Sequence, residues 1–219
     1  SKNMLIRDCY NDGKISGSDC TGGLIGSVQS GVEYGYGEKP TVYHTVVTDS
    51  YNAGAVTGTG NYTGGLIGEN QQAQIRNCYN TANVRGAQKA GGLAGRHYNG
   101  SMEYCYSIGE VTGASGYMGT LIGQRGDNIN VRGLYAIAEP MIGDGDNDYI
   151  QKNQLVRKID LVTLRQLPEE LNTNHAFQIA PGKTPMLIWQ VVPACQHPEN
   201  KKGFAYVAIL NDDGTASGK

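Results

Sequence analysis

Short runs of hydrophobic residues recur along the first two thirds of the chain, and each run is bounded by glycine or asparagine. Segments such as QIRNCYN, NVRG and GGLAG carry β-branched or aromatic residues at intervals, between polar ones. This pattern is typical of β-strands of about three to five residues joined by tight corners. No helix fits between these strands.

One pattern occurs four times. Each copy reads C/S-Y-N/S-x-G/A-x-I/V-x-G, followed by a spacer and G-G/T-L-I/A-G, and the copies begin at Cys9, Ser50, Cys78 and Cys105. If a degenerate fifth copy at Tyr135 is included, its tyrosine recurs at intervals of 41, 28, 27 and 29 residues. A period in this range indicates a solenoid. The longer first interval indicates an insertion of about 14 residues, near residues 27–46, which belongs in a loop.

Each copy is predicted to form one coil of a parallel β-solenoid, because such a coil cannot bury its inner face without a neighbour stacked on it. The predicted fold is therefore all-β: a parallel β-helix of about four to five coils over residues 1–142. Right-handed winding is expected from the general preference of parallel crossovers.

Stacking would place like residues in columns through the molecule. Two apolar columns are expected to form the core: Leu24, Leu66, Leu93 and Leu121, and Ile15, Val56, Val84 and Val111. The glycines before each leucine allow either positive φ or close backbone packing at a corner. A polar column of Asp8, Asp49, Asn77 and Tyr104 would be buried by strict alternation, so we expect a left-handed corner there. The pattern leaves open whether the cysteine or the tyrosine column then faces inward.

Residues 143–190 are predicted to form a small C-terminal α+β cap. Leu161, Leu164 and Leu167 recur at helical spacing, and large apolar side chains follow at Phe177 and Trp189. Because the last coil of a solenoid exposes a ladder edge, we expect this segment to cover it. Residues 191–219 are predicted to pack on the cap or to begin another module.

The composition of the chain disfavours several classes of fold and function. Glycine accounts for 32 of 219 residues, and charged residues make up only 17%, which disfavours a helical bundle or a charged disordered chain. The formal net charge of -2, with scattered Arg and Lys, disfavours nucleic-acid binding. No apolar run reaches the ~20 residues of a membrane span. The chain starts inside the first repeat, so we expect a longer parent protein with other domains.

The three cysteines of the column favour free thiols over disulfides, and the cysteine spacing disfavours a metal site. Cys9, Cys78 and Cys105 occupy equivalent places, and in-register parallel side chains would strain a disulfide between adjacent coils. Cys20 and Cys195 lie outside this column. Zinc is not expected, because no two cysteines stand two to four residues apart.

The four copies resemble the GLUG-motif repeats of bacterial cell-surface and secreted proteins. The resemblance covers residues 4–142, and Ala94 and Thr120 depart from the motif. The stretch from Ile159 to Gln190 is similar to what commonly follows such repeats. By this resemblance, such repeats occur in large surface proteins and in the non-catalytic regions of some metallopeptidases that cleave immunoglobulin A. The resemblance therefore implies an extracellular, cell-surface or secreted setting and an architectural or adhesive role. It supplies no ligand.

The insertion carries three candidate ligand-binding residues, Tyr34, Tyr36 and Tyr43. Aromatic side chains on a loop can stack against sugar rings or protein partners, so an extracellular glycan or a host protein is the expected partner. The alternative is that these tyrosines fold back over the flank of the coil. Deletion of residues 29–42 is expected to leave folding intact.

The segment GDGDNDY offers a calcium candidate. Asp144, Asp146 and Asp148 alternate like the start of a calcium loop, but Tyr149 and Leu155 exclude an EF-hand. A looser calcium site is retained as an alternative, and no other cofactor is expected.

The chain is predicted not to be an enzyme. Parallel β-helices include polysaccharide lyases and hydrolases, which need acids converging on one face, whereas the acidic residues here fall in different columns. The preferred interpretation is a non-catalytic module that acts as a rigid spacer or as an adhesive, ligand-binding segment. A carbohydrate-active lyase or hydrolase and a non-catalytic region of a secreted peptidase are the alternatives.

Overall fold

The chain forms stacked parallel coils, as predicted. The computed structural model describes residues 2–33, 41–144, 153, 155–191 and 206–210. Within these residues nearly all regular structure is β, and the predicted all-β parallel solenoid with a small helical segment after it is confirmed.

Four consecutive coils repeat the same order of short strands. The first coil contains β1 (Lys2–Arg7), β2 (Tyr10–Asn11), β3 (Ile15–Gly17), β4 (Thr21–Gly22) and β5 (Ile25–Gln29), followed by β6 (Gly31–Glu33). The second contains β7 (Thr41–Thr48), β8 (Tyr51–Asn52), β9 (Val56–Gly58), β10 (Thr63–Gly64) and β11 (Ile67–Gln71). The third contains β12 (Gln74–Arg76), β13 (Tyr79–Asn80), β14 (Val84–Gly86), β15 (Lys89–Gly91) and β16 (Ala94–Tyr98). The fourth contains β17 (Ser101–Ser107), β18 (Val111–Gly113), β19 (Tyr117–Gly119) and β20 (Ile122–Arg125).

The fifth coil is partial. It begins with β21 (Asn130–Ala136), and the chain continues through β22 (Val156–Lys158), α1 (Leu161–Leu164), β23 (Phe177–Gln178), β24 (Met186–Leu187), α2 (Ile188–Val191) and β25 (Tyr206–Leu210). Strand β22 pairs in parallel with β21 and extends the ladder beyond it. Strand β25 pairs antiparallel with β1, so the described part of the C-terminal tail lies on the first coil.

Equivalent strands pair in register and build the walls of the solenoid. Three parallel sheets each take one strand from each of the first four coils: β3, β9, β14 and β18; β4, β10, β15 and β19; β5, β11, β16 and β20. The largest sheet joins β1, β7, β12, β17 and β21. The predicted leucine column follows from this register, because the backbone N–H of Leu24, Leu66 and Leu93 each donates to the next leucine's carbonyl at 2.8–3.0 Å. Leu66, Leu93 and Leu121 are fully buried in the main core.

The predicted left-handed corner is present in every coil. Asp8, Asp49, Asn77 and Tyr104 have φ between 49° and 53°, and the fifth member of this column is Gly133 with φ 58°. The corner breaks strict alternation, so the cysteine column turns inward: Cys78 and Cys105 join the main core, whereas the tyrosines form a separate cluster outside it.

Serine can stand in place of cysteine in the inward column because both make the same hydrogen bond. Cys9, Cys78 and Cys105 donate from Sγ to the carbonyl two residues earlier at 3.1–3.2 Å, and Ser50 does so from Oγ at 2.7 Å. All four cysteines in the described residues are free thiols, as predicted for the three in this column. Burial raises the pKa of the Cys78 thiol well above its usual value, so this group stays protonated.

An asparagine ladder runs beside the tyrosines, and the sequence interpretation did not identify it. Asn11 donates from Nδ2 to Asn52 Oδ1 at 2.7 Å, and Asn52 donates to Asn80 Oδ1 at 2.8 Å. Each of these side chains also bonds the backbone two residues ahead and closes its own turn. The ladder therefore satisfies buried amides within a coil and between coils at once.

The paired glycines permit close packing and not positive φ. A Cβ at Gly65 would overlap the carbonyl oxygen of Gly92 and the side chain of Asn80, and no positive φ occurs at this glycine. Of the two explanations offered by the sequence, close approach of backbone to backbone is the one found here.

The C-terminal segment lies along the tyrosine column and not only over the last coil. Tyr10, Tyr51, Tyr79 and Tyr106 stack with ring centroids 4.9–5.4 Å apart. Four buried side chains pack against this stack: Leu164, Leu171, Phe177 and Leu187. At the first coils, Trp189 lies over Tyr10 and Tyr51, and its Nε1 donates to the carbonyl of Asp49 at 2.8 Å.

The segment covers the ladder edge of the last coil through its first strand, because β22 pairs in parallel with β21. The residues after β22 continue along the flank, where the stacked tyrosine rings offer a continuous apolar strip. The boundaries at 142 and 190 remain predictions.

Candidate functional site

The insertion forms the base of a β-hairpin on the flank of the solenoid. Strand β6 pairs antiparallel with the start of β7, with Gly31 opposite Tyr43 and Val32 opposite Val42. Two side chains fasten the base of the hairpin: Ser30 Oγ accepts from the backbone N–H of Thr45 at 2.8 Å, and Thr45 Oγ1 donates to the carbonyl of Gln29 at 2.9 Å. The inserted residues are therefore 31–44, between two residues that belong to the regular coils.

A groove of about 450 Å³ lies beside this hairpin. The hairpin contributes Val32, Val42, Tyr43 and His44 to its lining. Tyr43 is held on both sides, because β7 pairs with β6 on one edge and with β1 on the other. Of the three tyrosines predicted to bind a ligand, Tyr43 thus lines the groove, whereas Tyr34 and Tyr36 lie outside the described residues.

The opposite part of the lining is a column of amide side chains, which we call the amide column: Gln72, Asn99 and Asn128. These residues occupy the same corner of successive coils, where Ser30 stands in the first coil. All three have positive φ, at 68°, 48° and 49°. Asparagine tolerates this conformation at low cost, so the corner both turns the chain and aims amides toward the groove.

The sequence interpretation missed the amide column. Its members differ in type and in the residues beside them, so the repeat pattern does not align them by eye. The available signal was their constant position, three residues before the first apolar residue of the next coil's first strand. It becomes visible only after the coils are placed in register.

The described lining of the groove carries no Asp, Glu, Lys or Arg side chain. It consists of Ser30, Gly31, His44 and the amide column, together with Tyr43 and two valines. Such a surface can exchange hydrogen bonds with hydroxyl groups and can stack one aromatic ring against an apolar face. The described lining holds no formally charged acid, lysine or arginine.

Asp144, the first member of the calcium candidate, contacts Arg125. Its two carboxylate oxygens each accept from the backbone N–H of Arg125 at 3.2 Å, and Oδ1 lies 3.9 Å from Nε. Asp146 and Asp148 lie outside the described residues. Within the described ranges, no group of three or more His, Cys, Asp or Glu side chains could hold a metal ion. Calcium binding remains an untested alternative.

The most buried acidic side chain in the described coils forms an ion pair with an arginine. Glu69 pairs with Arg96, with Oε1 and Nη1 3.0 Å apart, and the guanidinium of Arg96 lies over the rings of Tyr62 and Tyr98. Cys20 Sγ lies 3.8 Å from the same carboxylate. Burial, followed by repulsion from Glu69, raises the pKa of this thiol, so it is not an activated nucleophile.

Two consecutive windows of the chain match one family by sequence. The GLUG motif matches residues 59–85 and again residues 86–112, and each window has the length of one coil. The chain carries GLUG-motif repeats. The two GLUG repeats run from the corner after β9 into β18, and the leucine column continues the same register into the first coil at Leu24. Neither a curated protein nor a solved structure matches the chain.

The GLUG motif is not a catalytic family, and it indicates a repeat module of the kind found in extracellular or surface proteins. Among the described residues, no helix is both long and apolar enough to cross a membrane.

Proposed function

We propose that this chain is a non-catalytic binding module of a bacterial surface or secreted protein. In this proposal the GLUG solenoid is a rigid scaffold, and the groove beside the insertion hairpin is its binding surface. The observation that carries the proposal is the position of the groove. It lies where the insertion departs from an otherwise regular repeat, and it holds Tyr43, Gln72 and Asn99 together on one flank.

Three features support a rigid scaffold. The asparagine ladder links the first three coils by side-chain hydrogen bonds. The tyrosine stack extends through four coils and is held by the C-terminal segment, where Tyr79 donates from its hydroxyl to Gln190 at 2.8 Å. A scaffold of this kind keeps the groove in one geometry, which lowers the entropic cost of binding.

Binding is preferred over catalysis because of the chemistry of the groove. A lyase or hydrolase of the β-helix type would need a pair of carboxylates, or a base with a cationic partner, around the substrate. The described lining offers neither, while its aromatic ring and amides suit recognition. The extracellular setting is supported by the GLUG repeats.

The test is a panel of glycans and host extracellular proteins probed with the wild type and with Tyr43→Ala. Tyr117→Ala is the matched control, because Tyr117 is an exposed tyrosine on a different sheet. We expect a ligand whose affinity falls at least about tenfold in Tyr43→Ala and is unchanged in Tyr117→Ala. If every ligand found binds both variants equally, the groove is not the binding surface and the proposal is wrong. Thermal melting of both variants shows that the comparison concerns folded proteins.

A further inference from the structure

We propose that the groove beside the insertion hairpin binds a neutral oligosaccharide, an inference that rests on the binding role proposed above. It follows from four properties of the described lining: charge, the type of polar group, its spacing, and the presence of one aromatic ring. A groove alone does not indicate which class of ligand binds, and each of these properties excludes or favours particular classes.

The first property is the absence of formal charge from the described lining. Serine, histidine, the tyrosine hydroxyl and three amides supply its polar groups, and no acid, lysine or arginine is among these described residues. Among the described lining residues, a phosphate, sulfate, sialic acid or uronate would have no cationic partner, and a polybasic peptide would have no carboxylate partner. Desolvating an unpaired charge is costly, so an uncharged ligand is favoured.

The second property is the amide column itself. Each amide of Gln72, Asn99 and Asn128 offers both a donor and an acceptor, which is what adjacent sugar hydroxyls require. The side-chain oxygen of Asn99 has no hydrogen-bond partner among the described residues, although it lies away from solvent. A ligand hydroxyl that reached it after a small rotation of the amide would satisfy this group.

The third property is spacing. The three amides belong to successive coils, so they repeat at the strand separation of ~4.8 Å and together extend over ~10 Å. A regular row of this kind suits a linear ligand whose hydroxyl groups also repeat. The volume of about 450 Å³ lies in the ordinary range for small-ligand sites, and accommodates a short oligosaccharide.

The fourth property is the aromatic ring of Tyr43, which lines the groove together with His44 and Val32. The apolar face of a pyranose ring packs against an aromatic side chain, while its equatorial hydroxyls point to polar groups at the side. Pairing of β7 with β1 and β6 fixes the backbone of Tyr43, so this contact would need little reorganisation.

The experiment is a glycan array that contains neutral, sialylated, sulfated and uronate-containing oligosaccharides, together with host extracellular proteins. Hits are measured by titration calorimetry at about 50 mM and about 500 mM NaCl. The variants are Tyr43→Ala and Asn99→Asp, with Tyr117→Ala and Asn83→Asp as matched controls, because both control residues are exposed and neither is in the described lining of the groove. Asn99→Asp keeps the shape and the positive-φ tolerance of residue 99 but replaces a donor with a charge.

We expect binding of neutral glycans that is insensitive to salt and at least about tenfold weaker in both groove variants than in their controls. If the ligands sensitive to Tyr43→Ala and Asn99→Asp are anionic glycans or proteins, the saccharide class is wrong while the binding role stands. If no ligand is sensitive to either groove variant, the binding role itself is wrong. If neutral glycans bind the groove variants and their controls equally, they bind elsewhere and the inference fails.

Discussion

At the scale of single residues, His97 occupies a position that asparagine fills in the preceding coil. Asn70 and His97 are register partners, and Asn70 closes its own turn through two hydrogen bonds to the backbone of Ala73. The Asn70 Nδ2 group also donates to His97 Nδ1 at 2.8 Å, so the ring proton lies on Nε2. That Nε2 atom is buried and lacks a hydrogen-bond partner in the described residues. Burial lowers the pKa of His97 to about 4, although a hydrogen bond with the backbone of Gly100 acts in the opposite direction and raises the pKa.

This histidine predicts an acid-sensitive fold. Because the folded pKa lies below the unfolded value of about 6.5, the unfolded state binds more protons below pH 6.5. The free energy of unfolding therefore falls as the pH drops from about 6.5 toward 4, by roughly 3 kcal/mol in all. His97→Asn should remove this part of the pH dependence, since asparagine can close the turn as Asn70 does. The measurement is urea unfolding at pH 7 and pH 4.5.

The control for His97 is His175→Asn, because His175 is exposed in the C-terminal segment. Carboxylates titrate in all three proteins, so only the difference between variants reports on His97. The charged neighbours in this column are Arg125 and its partner Asp144. Equal pH dependence in the wild type and His97→Asn would show that His97 is not buried in the neutral form.

At the scale of elements, the hairpin is separable from the coil that carries it. Removing residues 31–44 joins Ser30 to Thr45, which reproduces the step from Gln72 to Ala73 in the next coil. We expect this deletion to keep the circular dichroism spectrum and a cooperative thermal transition, and to abolish ligand binding at the groove. A deletion that unfolded the chain would show that the hairpin is required for the coil.

A shifted deletion of the same length provides the control. The sequence alone suggested that residues 29–42 could be removed without effect on folding. The structure assigns Gln29 and Ser30 to the regular coil, because Ser30 Oγ accepts from the backbone of Thr45. We therefore expect the 29–42 deletion to be less stable than the 31–44 deletion by about 1 kcal/mol, the usual contribution of one hydrogen bond.

The repeat pattern predicted those elements whose residues recur. Leu66 and Leu93, the corner at Asp49, and the free thiol of Cys78 could all be placed because each has a like residue one coil away. The amide column and the C-terminal segment could not be placed in this way. Gln72, Asn99 and Asn128 share backbone geometry more than residue type. The segment that covers the tyrosines is not repeated, so no second copy shows which of its apolar residues faces which coil.

At the scale of the whole molecule, the C-terminal segment ties together coils that are far apart in sequence. Tyr135 near the end of the stack donates to Glu170 at 3.3 Å, and Trp189 reaches the rings of Tyr10 and Tyr51 in the first two coils. At that same end, β25 pairs with β1. The solenoid is therefore held along its length by a segment outside the repeats, which supports its proposed role as a scaffold.

The central claim is that successive copies lie directly on one another in register, and spin-label distances test it most directly. Four exposed residues form an outward column, one in each coil: Ser16, Thr57, Arg85 and Thr112. Cys20 and Cys195 are first replaced by serine. Three variants then each carry two new cysteines for spin labels, one at position 16 and the other at position 57, 85 or 112. Electron paramagnetic resonance measures the distance between the two labels in each variant.

The account predicts that the separation from position 16 increases by ~4.8 Å with each coil, in the order 57, 85, 112. Separations that did not increase in this order would show that the copies are not stacked in register, and would contradict both the solenoid and the groove built on it.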